Sequence, residues 1–126
     1  MKKALSIKRL HKSFGFAFKG FIKSFSEEAN MKIHIMMAII VIICGFIFKV
    51  SHLEWIVLLF AIGLVIGAEL LNTAIENLVD LVCNDYNLKA GVIKDVSAAF
   101  VMVLAIISAI IGFIIFIPKF IVMIGW

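Results

Sequence analysis

Residues 53–80 read LEWIVLLFAIGLVIGAELLNTAIENLVD, and this stretch decides the fold class of the chain. Residues 55–68 carry no charge, and as a helix these fourteen residues rise about 21 Å, against a hydrocarbon core of about 30 Å. Four polar residues spaced three or four positions apart then follow within one short segment: Glu69, Asn72, Glu76 and Asp80. A segment suited to lipid therefore ends in three carboxylates and an amide, and this combination needs an explanation.

The rest of the chain is equally apolar. Its 126 residues are 64% hydrophobic and the mean hydropathy is +1.19, whereas soluble domains are about half apolar. Three apolar runs are long enough to span a bilayer, and the third stops at Pro118. We therefore predict an all-α integral membrane protein with a single domain over 1–126 and transmembrane helices over 31–49, 53–83 and 92–117.

The positive charge is concentrated before the first apolar run. Eight of the twelve basic residues lie there: Lys2, Lys3, Lys8, Arg9, Lys12, Lys19, Lys23 and Lys32. These charges interrupt any signal-peptide core and favour an anionic membrane surface over nucleic acid as the partner. The rule that basic segments stay inside predicts a cytoplasmic N-terminus, a cytoplasmic loop over 84–95 and an external C-terminus.

The segment over 1–28 has the pattern of an amphipathic helix at the membrane surface. Seven apolar residues fall on about a third of the helix circumference at 100° per residue: Ile7, Leu10, Phe14, Phe18, Phe21, Ile22 and Phe25. The basic residues fall on the opposite side, which predicts an interfacial helix. Phe16 lies on the basic side, where it is either a ligand contact or an ordinary exposed aromatic residue.

The polar residues of the second span form one stripe. With Glu69 at zero, Asn72 lies at about −60°, Glu76 at about −20° and Asp80 at about +20° around the helix. Asp80, near the membrane boundary, is interpreted as a partner for a neighbouring lysine. Glu69 and Glu76 are interpreted as functional, because ionisable groups inside a span are costly.

Small residues on other helix faces predict close helix contacts. They are Gly63 and Gly67 in the second span, and Ser108 and Gly112 in the third. Such spacing of four lets helix backbones approach each other within a membrane.

Further charged residues lie at the same predicted depth as the stripe. Glu27 and Glu28 precede the first span, and Lys94 and Asp95 open the third. Carboxylates from different helices suit Mg²⁺, which commonly brings phosphates with it. Arg9 and Lys94 are suited to hold those phosphates. No P-loop motif is present, and the residues alone indicate only a membrane site for a metal and a phosphate.

Four motifs make the chain resemble a known family. They are FGFAFKG at 14–20, EEAN at 27–30, ELLNTAIENLVD at 69–80 and IKD at 93–95. With Arg9 upstream, they resemble the small integral-membrane prokaryotic diacylglycerol kinases, a family that includes the undecaprenol kinases. The chain departs from the commoner pattern at Phe16, where tyrosine is frequent, and in the DYN sequence at 85–87, where E-Y-H is frequent.

The resemblance implies ATP-dependent phosphorylation of a membrane lipid alcohol by a homotrimer with sites between subunits, in a bacterial cell membrane. It implies that Glu69 is the general base, aided by Asn72, and that Arg9 and Glu69 contact the lipid. Glu28 and Glu76 would hold Mg²⁺. The implied ATP-binding residues are Arg9, Phe16, Glu28, Glu76, Asp85, Tyr86, Asn87, Lys94 and Asp95.

Several alternatives remain open on the sequence. Undecaprenol is favoured as the substrate because the composition and the IIFIPK ending at 114–119 resemble undecaprenol kinases, and diacylglycerol is the alternative. A small ion or proton carrier and a packing subunit are the alternatives to an enzyme. A carrier would need ionisable groups across the whole span, whereas the stripe occupies one end of it.

Overall fold

The computed structural model describes residues 6–126. Residues 1–5, which include Lys2, Lys3 and the start of the predicted interfacial segment, lie outside the described residues. Four α-helices make up the regular structure of the described part: α1 (Ile7–Glu27), α2 (Ala29–Ile47), α3 (His52–Val82) and α4 (Leu88–Met123). Residues 6–126 contain no β-strand, which confirms the all-α prediction.

The first helix, α1, is the predicted amphipathic helix. The Ser6 side chain caps it by accepting a hydrogen bond from the Arg9 backbone N–H, at 3.2 Å. The helix ends where Glu28 adopts an extended conformation, and α2 begins at the next residue. Phe14 and Phe18 on its apolar face are 69% and 67% exposed, so the other described helices leave this face open. Burial of that face in the lipid interface stays a prediction.

The other three helices are each long and apolar enough to cross a membrane. The bounds of α2 and α3 differ from the predicted spans by one or two residues. The fourth helix begins four residues earlier and continues six residues beyond the predicted end at 117, passing through Pro118. Proline removes one backbone hydrogen bond, but membrane helices tolerate it. An ion pair of 3.0 Å between Lys119 and Glu54 of α3 holds the helical turn that follows Pro118 against α3.

A tight hairpin joins α2 to α3. Lys49 adopts a left-handed conformation (φ 51°), and Ser51 and Glu54 form a reciprocal capping box at the start of α3. The Trp55 indole packs directly over Gly45, where an added Cβ would overlap the ring. Beside it, Val50, Leu58 and Ile115 form a buried apolar cluster. This end of the spans is therefore fixed by local turn chemistry and side-chain packing.

The third helix is central, because it packs against α1, α2 and α4. Its buried apolar positions are Leu58, Ala61, Val65 and Ala68. The close contacts that glycine would allow are not made within residues 6–126: a Cβ at Gly63, Gly67 or Gly112 would meet no atom of another helix within 4 Å. Alanine and valine on another face of α3 make the contacts instead.

Gly45→Ala is expected to destabilise the folded protein, because the new methyl group forces the Trp55 ring to move. Overpacking of this kind typically costs about 1–3 kcal/mol. The thermal midpoint in detergent micelles measures the change. Gly20→Ala is the control, since its Cβ meets nothing within 4 Å, and an equal midpoint for both variants would contradict the packing described.

Candidate functional site

The centre of the candidate site is the buried carboxyl group of Glu69 on α3. Only 1% of this residue is exposed, and Oε1 has no hydrogen-bond partner within residues 6–126. One turn further along α3, Asn72 is 5% exposed, and its Oδ1 is likewise unpartnered within the described chain. Buried polar atoms are normally paired, because an unmade hydrogen bond costs about 1–3 kcal/mol. Two adjacent exceptions mark a place where a ligand can supply the missing contacts.

Two further carboxyl groups, those of Glu28 and Glu76, lie next to these unpartnered oxygens. The Asn72 side-chain amide donates a hydrogen bond to Glu76 Oε1 at 3.4 Å. Glu28, at the break between α1 and α2, lies beside Glu76, and burial followed by the charge of Glu76 raises the pKa of Glu28 above its ordinary value. A cation between the two carboxyl groups would offset the repulsion between their charges.

The two carboxylates suit Mg²⁺ better than they suit a metal ion whose ligands all come from the protein. No group of three His, Cys, Asp or Glu residues converges as a metal site in residues 6–126. Mg²⁺ commonly binds through one or two carboxylates, with water and substrate phosphates completing its shell. Glu28 and Glu76, with the unpartnered Asn72 oxygen nearby, are a set of that kind.

The stripe continues to Asp80, which forms an ion pair with Lys94 of α4. This confirms the interpretation of Asp80 as the partner of a neighbouring lysine. The pair fixes the start of α4 against α3 one turn beyond Glu76. An ammonium group has three N–H donors, so Lys94 keeps donors for a phosphate while it is held by Asp80.

A chain of buried hydroxyl groups connects α1 to the centre of the site. Thr73 Oγ1 donates to the Glu69 backbone carbonyl at 3.0 Å, and Ser24 Oγ lies 3.0 Å from the same Thr73 oxygen. Since the Thr73 proton is used on that carbonyl, Ser24 is the donor between the two hydroxyls. Ser24 is the buried residue of α1, so this bond fixes the helix against α3.

The loop before α4 presents the predicted nucleotide-binding residues at the surface. Tyr86 is 94% exposed. The Asn87 side chain caps α4 by accepting hydrogen bonds from the N–H groups of Lys89 and Ala90, at 2.9 and 3.1 Å. Its amide N–H groups remain for a ligand. Asp85 accepts a hydrogen bond from the Cys83 thiol through its backbone carbonyl, which leaves its carboxylate exposed.

Two predicted site residues lie far from the buried acids within one subunit. Arg9 precedes Glu28 by nineteen residues along a continuous helix, a rise of about 28 Å. Phe16 precedes Glu28 by about 18 Å and is 70% exposed. The structure thus brings Glu28, Asn72 and Glu76 to Glu69, but it does not bring Arg9 or Phe16 there.

The sequence reasoning missed His34 of α2. Its Nε2 lies 3.5 Å from Glu69 Oε2, and its side chain is 19% exposed. The available signal was a titratable side chain inside the apolar run at 33–48. Periodicity within one helix does not show which groups meet across two helices, so the pairing became visible only in three dimensions.

An apolar groove of 590 Å³ runs between α2, α3 and α4. His34 lines one end, close to Glu69, and Phe48 and Phe116 line the other. Between them the lining is almost entirely aliphatic, with Ala61 and Val65 from α3. The groove therefore runs along the spans as far as His34, the neighbour of Glu69, and its lining suits a hydrocarbon chain.

The fold and site define a small helical membrane protein with an acidic site at one end of its spans. The chain belongs to the prokaryotic diacylglycerol kinase family, whose family model matches residues 15–116. This confirms the resemblance that the four sequence motifs indicated.

Three relatives are similar to this chain over most of its length. It is 42% identical to the undecaprenol kinase of Bacillus subtilis (strain 168) over 113 residues, which cover 90% of this chain and 92% of that protein. Over 101 residues it is 35% identical to a diacylglycerol kinase of Synechocystis, covering 79% and 58% of the two chains. The diacylglycerol kinase of Escherichia coli (strain K12) is 28% identical over 102 residues, covering 81% and 84%.

Thr73→Val is expected to loosen α1, because it removes the hydroxyl that Ser24 needs as a partner. An unsatisfied buried hydroxyl costs about 1–3 kcal/mol. Faster amide hydrogen exchange in the second half of α1 would report the change. Ser26→Ala is the control, since the exposed Ser26 hydroxyl bonds only within its own helix. Unchanged exchange in Thr73→Val would show that this bond does not hold α1.

Proposed function

We propose that this protein transfers the γ-phosphoryl group of ATP to the hydroxyl group of undecaprenol. The observation that carries the proposal is the position of Glu69: a buried carboxyl group with one unpartnered oxygen, next to the His34 side chain that lines one end of an apolar groove. The relative of 42% identity, which aligns over nearly its full length, is named as an undecaprenol kinase and supports this choice of substrate.

Diacylglycerol is the second candidate substrate. Relatives of 35% and 28% identity are named as diacylglycerol kinases. The groove suits a hydrocarbon chain of either kind, since its lining is almost entirely apolar. The hydroxyl group would reach Glu69 in the same way for both lipids.

The proposed reaction begins with the lipid tail in the groove and its hydroxyl group at Glu69. Glu69 Oε1 accepts the hydroxyl proton as the lipid oxygen attacks the γ-phosphorus, and the bond to the ADP oxygen breaks. A desolvated carboxylate is a stronger base than an exposed one, which suits this step. Asn72 is placed next to Glu69 to orient the attacking oxygen. Proximity and charge neutralisation supply most of the remaining acceleration in phosphoryl transfer.

Glu28 and Glu76 are the proposed ligands of Mg²⁺. Bound there, Mg²⁺ would neutralise charge on the ATP phosphates. Lys94 and Asp95 lie in the second turn of α4 and are proposed contacts of the nucleotide. The exposed loop residues Asp85, Tyr86 and Asn87 are proposed to contact its base and ribose.

A site shared between subunits would explain how Arg9 and Phe16 contact the same ATP molecule as Glu28. These residues lie about 28 and 18 Å along α1 from Glu28, so one subunit does not place them all around one ATP molecule. We propose a homotrimer in which α1 of one subunit contributes to the site of another. The open glycine faces of α3 and α4 support such packing, because a neighbouring helix can approach them closely.

The proposed location is the bacterial cell membrane, with the site on the cytoplasmic side. The N-terminus and the loop at 83–87 would then face the cytoplasm, where ATP is found, and the C-terminus would lie outside. The concentration of lysine before α2 supports this orientation.

Phosphate transfer from ATP, measured on the purified protein in mixed micelles with Mg²⁺, tests the proposal. Undecaprenol and diacylglycerol are offered separately and together. We expect preferred transfer to undecaprenol and a loss of about 100-fold or more in Glu69→Gln, because the base is removed. Preferred transfer to diacylglycerol would assign that substrate instead. No transfer to either lipid, with ion flux in liposomes without ATP, would favour the carrier.

The Mg²⁺ dependence of the activity distinguishes the proposed metal-binding role of Glu28 from that of the adjacent Glu27. Glu28→Gln is expected to raise the Mg²⁺ concentration at half-maximal rate by about tenfold or more, since one of two carboxylate ligands is lost. Glu27→Gln is the matched control, because exposed Glu27 lies 4.0 Å from Lys23 on the outside of α1. Equal Mg²⁺ curves for the two variants would contradict the assignment of Glu28.

A further inference from the structure

The two carboxylate oxygens of Glu69 have different surroundings. Oε2 lies 3.5 Å from Nε2 of His34, whereas Oε1 is buried without a hydrogen-bond partner in residues 6–126. The two side chains come from different helices, α2 and α3, and meet where the apolar groove reaches the site. A carboxyl group can rotate about its terminal bond, so a neighbouring group must fix the orientation of its plane for one oxygen to face the substrate.

The geometry points to His34 as a positioning residue for Glu69. The imidazole faces Oε2 through Nε2 at 3.5 Å, which leaves Oε1 as the oxygen that accepts the lipid hydroxyl proton. The inference rests on the proposed function and deepens it, because it assigns separate tasks to the two oxygens of the base.

The atoms of the reaction balance without a chemical step at His34. The hydroxyl proton passes to Glu69 Oε1, the lipid oxygen bonds to the γ-phosphorus, and the bond from that phosphorus to the ADP oxygen breaks. The proton on Glu69 then leaves to water as the products depart. His34 neither gains nor loses a proton in this sequence, and its contribution is the placement of the carboxyl group.

The position of His34 suits this task. Its side chain is largely buried, and α2 packs along α3, so the ring is held between the groove and the carboxyl group. A catalytic group misplaced by about 1 Å can lose about 100-fold in rate. Such a loss would appear in kcat, because ATP binds to other residues.

Two amide substitutions of His34 test whether the position of its nitrogen matters or only the presence of a polar side chain. In His34→Gln the amide nitrogen reaches the place of Nε2, whereas in His34→Asn the shorter side chain does not. We expect H34Q to keep most of the wild-type kcat, and H34N to lose about 100-fold with the KM for ATP unchanged. His34→Met, which fills the space without a donor, is expected to behave as H34N does.

The measurements use the full chain in mixed micelles with Mg²⁺, ATP and undecaprenol. His52→Gln is the matched control, since exposed His52 lies at the other end of the spans and is expected to leave the kinetics unchanged. Gel filtration and thermal midpoints in the same micelles establish folding. Should H34N unfold, H34M takes its place in the comparison with H34Q.

A double substitution tests whether His34 acts through Glu69. Once Glu69→Gln has removed the base, adding His34→Asn is expected to leave the residual rate unchanged. A further fall would show that His34 acts elsewhere and would overturn the inference, as would equal kcat values for H34Q and H34N. If wild-type transfer and its loss in Glu69→Gln are observed alongside either result, the proposed function stands and only the role of His34 fails.

Discussion

Backbone groups in a hydrocarbon core cannot bond to water, and this constraint shapes the whole molecule. Each described segment that is long and apolar enough to cross a bilayer is a helix, in which the backbone satisfies its own hydrogen bonds. The chemistry of the site must then come from side chains on helix faces. In this protein one face of α3 provides it, from the buried Glu69 to the exposed Asp80.

The sequence specified the stripe on α3 well, because helical periodicity determines which residues of one helix share a face. Glu69, Asn72 and Glu76 were predicted to lie together, and the structure brings them together with Glu28. Contacts between helices were harder to predict. His34 was missed, and the expected contacts at Gly63 and Gly67 are not made within one subunit. Such pairings depend on how helices rotate and tilt against each other, and periodicity contains no such information.

The predicted helix ends were likewise accurate where local sequence determines them and inaccurate where tertiary contacts do. The turn before α3 follows a local signal, the capping box of Ser51 and Glu54, and the predicted bounds of α2 and α3 lie close to the structure. Pro118 is a local signal for a helix end, yet α4 continues to Met123. The Lys119–Glu54 ion pair and the burial of Ile115 hold this part of α4 against the rest of the protein.

The bond between Ser24 and Thr73 has a consequence for how the protein responds to the membrane. Thr73 bonds both to Ser24 of α1 and to the backbone carbonyl of Glu69. A helix with an exposed apolar face feels the packing and curvature of the lipid around it. Any force that lifts α1 therefore acts, through two hydrogen bonds, on the turn of α3 that carries Glu69. With α1 in its predicted interfacial position, lipid order would be mechanically coupled to the geometry of this carboxyl group.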